Sequence, residues 1–114
     1  MKKKLLLDEN LPHPLKDDFS DEFEVTTVHE RGWATLKNGH LLAAMTEAGI
    51  EFLLTVDKNL QFQQNLDKYP VKLVVIRSFD NRYKNLIAWV PRIEKGIRDM
   101  PDDMKVLELD LRKA

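Results

Sequence analysis

The chain has 114 residues, enough for one domain and too few for two. Hydrophobic residues make up 43% and charged residues 32%, the ordinary balance of a soluble globular protein. Lys plus Arg is 18 against 19 Asp plus Glu, so the net charge of -1 excludes a protein that coats polyanions through bulk charge, while a local basic patch stays open. The absence of cysteine excludes a disulfide framework and any thiolate metal site. No apolar run approaches the roughly 18 residues of a membrane span. The three leucines of MKKKLLLDEN are shorter than a signal-peptide core of about 7–15 residues. The expectation is a soluble, cytoplasmic protein.

In chain order, Lys4 to Leu7 is a continuous apolar strand candidate, punctuated by Pro12 and Pro14, and Leu15 to Phe19 predicts a short helix. FEVTTV, Phe23 to Val28, is rich in β-branched residues and reads as a strand. A polar loop, HERGWATLKN, leads to GHLLAAMTEAG. There Leu41, Leu42, Met45 and Ala48 keep helical spacing, Asn38 occupies the N-cap position and Gly49 is the stop. Phe52 to Val56 is a third strand, Leu60 to Leu66 a helical turn, and Val71 to Ile76 a fourth strand. From Tyr83 to Arg98, Leu86, Val90, Ile93 and Ile97 fall on one face, with Pro91 predicting a kink or two shorter pieces. VLELDL, Val106 to Leu111, alternates and predicts a half-exposed last strand.

Strand and helix alternate along the whole chain, and LLL, FLLTV and KLVVI are apolar on both faces. The prediction is a three-layer α/β fold, a mostly parallel central sheet of about five strands with helices on both faces, in one domain.

Two of these strands run into acids. LLLDEN ends on Asp8 and Glu9, and LLTVDKN ends on Asp57. In open α/β sheets ligands bind beyond the carboxyl ends of the strands, where the strand order reverses. If the two strands are neighbours, the acids share one crevice. Carboxylates about 4–6 Å apart repel unless a cation lies between them. A hard divalent ion, Mg²⁺ or Mn²⁺, takes carboxylate oxygens while keeping several waters. Such an ion polarises a phosphoryl oxygen or generates a hydroxide nucleophile. The competing reading is local: Asp8-Glu9-Asn10 before Pro12 is turn chemistry, and Asp57 caps a helix beginning near Leu60.

LLLDENLP, VHERGW and LLTVDKNL, taken in this order, resemble the PIN-like family. The closer likeness is to a group of small bacterial and archaeal PIN-like proteins linked to toxin–antitoxin systems, over most of residues 4 to 77. The resemblance implies a compact α/β ribonuclease that hydrolyses RNA phosphodiesters with Mg²⁺ or Mn²⁺ held by strand-end acids, and a protein antitoxin as a partner. It assigns the metal-holding and catalytic positions to Asp8, Glu9 and Asp57, with Thr55 of the T-x-D motif beside them. Two positions depart from the family pattern: Asn38 and Asn59 stand where the related group carries Asp. An amide oxygen can ligate a metal but brings no charge, so metal affinity falls and a second ion is disfavoured. His40, two residues past Asn38, is within possible reach of the crevice, while His13 and His29 read as loop histidines.

The late helix carries Arg82, Lys84, Arg92, Lys95 and Arg98 against Glu94, either a solvated face or a track for phosphates. Lys58 and Arg77 follow strand ends and are better placed to steady a phosphate in the crevice. Trp33 can stack a base, dock a partner or tuck back onto the core, the last being the commoner role. A homodimer is the default oligomer. Two rivals to the nuclease stand: a non-catalytic PIN-like module that binds RNA or protein, and a phosphoacceptor receiver domain. The receiver would use Asp8 and Glu9 as its acid pair, Asp57 as acceptor, and Ser78 and Lys113 after the fourth and fifth strands. DKNLQFQQ lacks the Pro and Gly usual after a receiver's acceptor.

Overall fold

The structure, a computed structural model, describes residues 2–60 and 66–112. Five strands form one sheet: β1 (Lys3–Leu7), β2 (Phe23–Thr27), β3 (Phe52–Thr55), β4 (Lys72–Arg77) and β5 (Val106–Asp110). Their order is β2-β1-β3-β4-β5 and every neighbouring pair is parallel. Among the described residues three α-helices accompany them: α1 (Asn38–Ala48), α2 (Tyr83–Leu86) and α3 (Val90–Arg98). This is the expected α/β architecture.

Strand alternation sorts the apolar residues into two cores. Leu5 and Leu7 of β1, Phe52 and Leu54 of β3, and Val74 and Ile76 of β4 face one side. There they pack against Val90, Ile93 and Ile97 of α3. Leu6, Leu53, Leu73 and Val75 face the other side and pack against Leu41, Leu42 and Met45 of α1. The central strands are apolar on both faces because both faces are covered. Each fully buried leucine contributes about 1.5–3 kcal/mol. The outer strands behave differently, as VLELDL predicts: β5 is half-exposed with Glu108 to solvent, and Glu24 of β2 is exposed.

Several boundaries shift from the sequence expectation. The segment after Pro12 is a 3-10 helix, His13–Asp18. Asn38 is the first residue of α1, and Lys37 is its N-cap without a side-chain cap hydrogen bond. Gly49 ends α1 as expected, in the left-handed region at φ 73°, with its N–H bonded to Met45 and Thr46 carbonyls. The late helix divides as Pro91 foretells. A 3-10 turn, Ile87–Trp89, separates α2 from α3, and Pro91 sits in the first turn of α3, where its missing N–H leaves no helical bond unmade. Leu86, Val90, Ile93 and Ile97 are all buried. Most of the helical turn expected over Leu60 to Leu66 lies outside the described residues, and a short 3-10 turn follows at Leu66–Lys68. Among the described residues no helix is long and apolar enough to cross a membrane.

Candidate functional site at the β1/β3 strand ends

Chain order and sheet order part company between β1 and β3. From β1 the chain moves outward to β2, then crosses by α1 to β3 on the other side of β1, and continues outward through β4 and β5. The β1/β3 boundary is therefore the switch point, and the space beyond its carboxyl ends is where such sheets hold ligands.

Asp8 and Asp57 stand at that boundary. Asp8 directly follows Leu7, and its N–H extends the ladder by donating to the Leu54 carbonyl at 3.0 Å. One carboxylate oxygen, Oδ1, accepts the Glu9 N–H at 2.9 Å. The other, Oδ2, accepts the hydroxyl of Thr55 at 2.6 Å. Thr55 is fully buried at the last position of β3, and its Oγ1 accepts the N–H of Asp57 at 3.0 Å. Thr55 thus ties the acid after β1 to the backbone of the acid after β3. Asp57 in turn accepts the Asn59 N–H on Oδ1 at 2.9 Å, an Asx turn. The helix that Asp57 was expected to cap, beginning near Leu60, lies mostly outside the described residues. The Asx turn leaves Oδ2 of Asp57 and further lone pairs of both carboxylates for a ligand.

The other expected site residues are distributed unevenly. Glu9 is exposed, and its backbone rather than its carboxylate meets Asp8. His40 is exposed in the first turn of α1 and does not line the cleft described below. The side chain of Asn38 lies outside the described part of the molecule, as does Lys113. Among the described residues, no group of three or more His, Cys, Asp or Glu side chains is arranged to hold a metal ion. What the fold brings together is the pair Asp8 and Asp57 around Thr55. Two carboxylates suffice for Mg²⁺, which is commonly held by one or two of them with waters and substrate phosphate oxygens completing the shell.

Beside Asp57 opens a cleft of about 390 Å³ at the carboxyl ends of β3, β4 and β5. Val56, Asp57, Lys58, Asn59, Ile76, Arg77, Ser78, Asn81 and Arg112 line it. Lys58, Arg77 and Arg112 stand beside Asp57, and both arginines are paired with acids of β5. Arg77 approaches Glu108 at 3.9 Å, and its Nε is buried without a hydrogen-bond partner. Arg112 forks onto Asp110, with both bonds at 2.9 Å. Ser78 donates its hydroxyl to Asn81 Oδ1 at 2.6 Å. Lys58 and Arg77 are where the sequence reading puts them. Asn81 and Arg112 were not anticipated, although the strand-end rule applied to β5 points to Arg112.

The basic stripe of the late helix has a different setting. Arg98 forks onto Glu22 at 2.6 and 2.9 Å, and Lys95 pairs with Asp99 at 2.7 Å. Arg92 lies over the Trp89 ring at 5.8 Å. Glu22 immediately precedes β2 and its carbonyl accepts from Lys3, so Arg98 sits at the amino ends of the strands, across the sheet from Asp8 and Asp57. Trp33 packs half-buried against the α1 core with Arg31 over its ring at 5.3 Å, the tucked-back role.

A polar cluster flanks the site at the end of β2. Thr27 and Glu30 exchange hydrogen bonds at 3.0 Å, each backbone N–H donating to the other side chain. Lys16 donates to Glu30 at 2.9 Å, and the His13 ring meets Thr27 Oγ1 at 3.1 Å. The Lys16 hydrogen bond, with help from the Thr27 N–H, holds the Glu30 carboxyl down at about 2 against the opposing effect of burial.

No protein-family model matches this chain, and neither does any curated protein or solved structure.

Proposed function

We propose that the protein is a Mg²⁺- or Mn²⁺-dependent ribonuclease of PIN-like type, with Asp8 and Asp57 as the metal-holding acids. The observation that supports it best is the Thr55 hydroxyl, which joins the acid after β1 to the acid after β3 at the switch point of a parallel sheet. Asp8 and Asp57 would hold one ion, with Glu9 and the amides of Asn38 and Asn59 as subsidiary candidates. When bound, such an ion supplies an activated water and neutralises charge on a phosphodiester. The chain's own part is orientation. Thr55 fixes the Asp8 carboxylate by donating to Oδ2. The Asn59 N–H fixes Asp57 in the same way. Lys58 and Arg77 stand next to Asp57 in the cleft and would steady the substrate phosphate. A toxin role, with a protein antitoxin as partner, follows only from the family resemblance.

The test is a thermal melt with and without millimolar Mn²⁺, on wild type and Asp57→Asn together. A ligand at about 100 times its Kd adds about 2.7 kcal/mol, several degrees for a domain of this size. The expected result is an upward shift in wild type alone, followed by metal-dependent RNA cleavage that Asp8→Asn abolishes. No shift in either protein would overturn the metal reading.

A second reading is favoured by one observation, the lack of a third converging acid among the described residues. It is a non-catalytic PIN-like module that binds RNA or protein. Binding that survives Asp8→Ala and needs no metal, without cleavage, would select it. The receiver reading draws on the 2-1-3-4-5 strand order, which receiver domains share, and on Ser78 beside the cleft. Intact mass after incubation with a small phosphodonor decides it.

A further inference from the structure

Phe79 is 84% exposed, far more than any other large hydrophobic side chain among the described residues. It lies in the loop after β4, directly following Ser78 and two residues before Asn81, both of which line the cationic cleft. The loop around it is ordered by its own bonds. Ser78 donates to Asn81 and to the Asp80 carbonyl, Asn85 donates to that same carbonyl, and Arg82 clasps Asp80. Phe79 thus belongs to a braced turn whose Ser78 and Asn81 line a cleft that carries Lys58, Arg77 and Arg112. The buried Arg77 Nε has no partner, and a buried donor left unpaired costs about 1–3 kcal/mol.

We propose that this cleft and Phe79 form a subsite for one nucleotide of single-stranded RNA: the phosphate sits among Arg77, Lys58 and Arg112, and the base stacks on Phe79. The inference deepens the ribonuclease reading and rests on it for the choice of RNA. Arg77 and Arg112 are each paired with an acid of β5, yet a guanidinium has five N–H donors and Arg112 spends two on Asp110, so donors remain for a phosphate. A solvent-facing aromatic ring beside a phosphate track is how single strands are held without sequence preference. The cleft volume of about 390 Å³ leaves room for a sugar-phosphate unit. Asp57 lines the same cleft, so the bound phosphate is next to the proposed metal position.

The experiment is fluorescence anisotropy with a short labelled single-stranded RNA of mixed sequence, in EDTA so that no cleavage intervenes, over a series of salt concentrations. Wild type, Phe79→Ala, Phe79→Trp and Arg77→Gln are compared, each with a melt to verify folding. Phe79→Ala should weaken binding about tenfold with the salt slope unchanged, and Phe79→Trp should restore it. Arg77→Gln should weaken binding and reduce the salt slope by about one. Wild-type affinity in Phe79→Ala, equal affinity for duplex RNA, or no RNA binding by wild type would overturn the proposal. The Mn²⁺ melt keeps the two readings separable: wild-type RNA affinity in Phe79→Ala together with an intact Mn²⁺ shift in wild type refutes only this inference.

Discussion

The Thr55 hydroxyl donates to Asp8 Oδ2 across 2.6 Å, joining residues 47 apart in the chain. The same oxygen accepts the Asp57 N–H, so one buried hydroxyl serves both strand-end acids. Thr55→Val keeps the side-chain shape and removes both bonds. The expected cost is about 1–3 kcal/mol, because the Asp57 N–H loses its acceptor and Asp8 loses a donor. Urea unfolding measures it, and Thr55→Ser should recover most of the loss. In the Mn²⁺ melt Thr55→Val should also show a smaller shift, since its Asp8 carboxylate is no longer oriented.

Asn59 gives the Asp57 carboxylate its backbone N–H while its side chain is exposed, so the amide can be exchanged for an acid without disturbing the turn. Asn59→Asp adds negative charge beside the proposed ion. Metal affinity follows ligand charge, and a gain of about tenfold is expected in a Mn²⁺ titration. Unchanged affinity would place the ion away from this turn.

Glu30 supplies the clearest pH dependence. Its native carboxyl stands at about 2 against an ordinary 4.5, chiefly through the Lys16 hydrogen bond. A depressed carboxyl stabilises the fold above the unfolded value and loses that contribution as pH falls from about 4.5 to about 2. The Lys16 and Glu30 side chains are 24% and 35% exposed, so solvent screening limits the charge effect to about 1 kcal/mol at neutral pH. Glu30→Gln should be less stable than wild type by that amount at pH 7. The two proteins should converge near pH 2, as followed by urea unfolding across pH.

Gly49 ends α1 at φ 73°, and a Cβ there would meet only Lys4 Nζ, at 3.9 Å. The space is open and the backbone is the obstacle. Gly49→Ala should therefore cost about 1 kcal/mol from the left-handed conformation alone, seen as a lower urea midpoint at constant slope.

Where the rules are local, the sequence determined the outcome. Uninterrupted apolar runs marked β1, β3 and β4 as strands covered on both faces. Alternation marked β5 as half-exposed, Gly49 ended α1, and Pro91 divided the late helix. The strand-end positions of Asp8 and Asp57 were legible for the same reason, since a strand stops where its apolar pattern stops. Only the tertiary structure decided which strands are neighbours. The order 2-1-3-4-5 arises from packing between residues far apart in sequence, and it alone carries Thr55 to Asp8 and gathers Asp57, Arg77 and Arg112 around one cleft. It also sends the basic end of α3 to the amino ends of the strands, where Arg98 meets Glu22, a separation that helical periodicity does not encode. The exposure of Phe79 belongs to the same class. An aromatic residue between two polar ones gives no local sign of whether it turns inward, because that depends on whether the fold brings it a surface to cover.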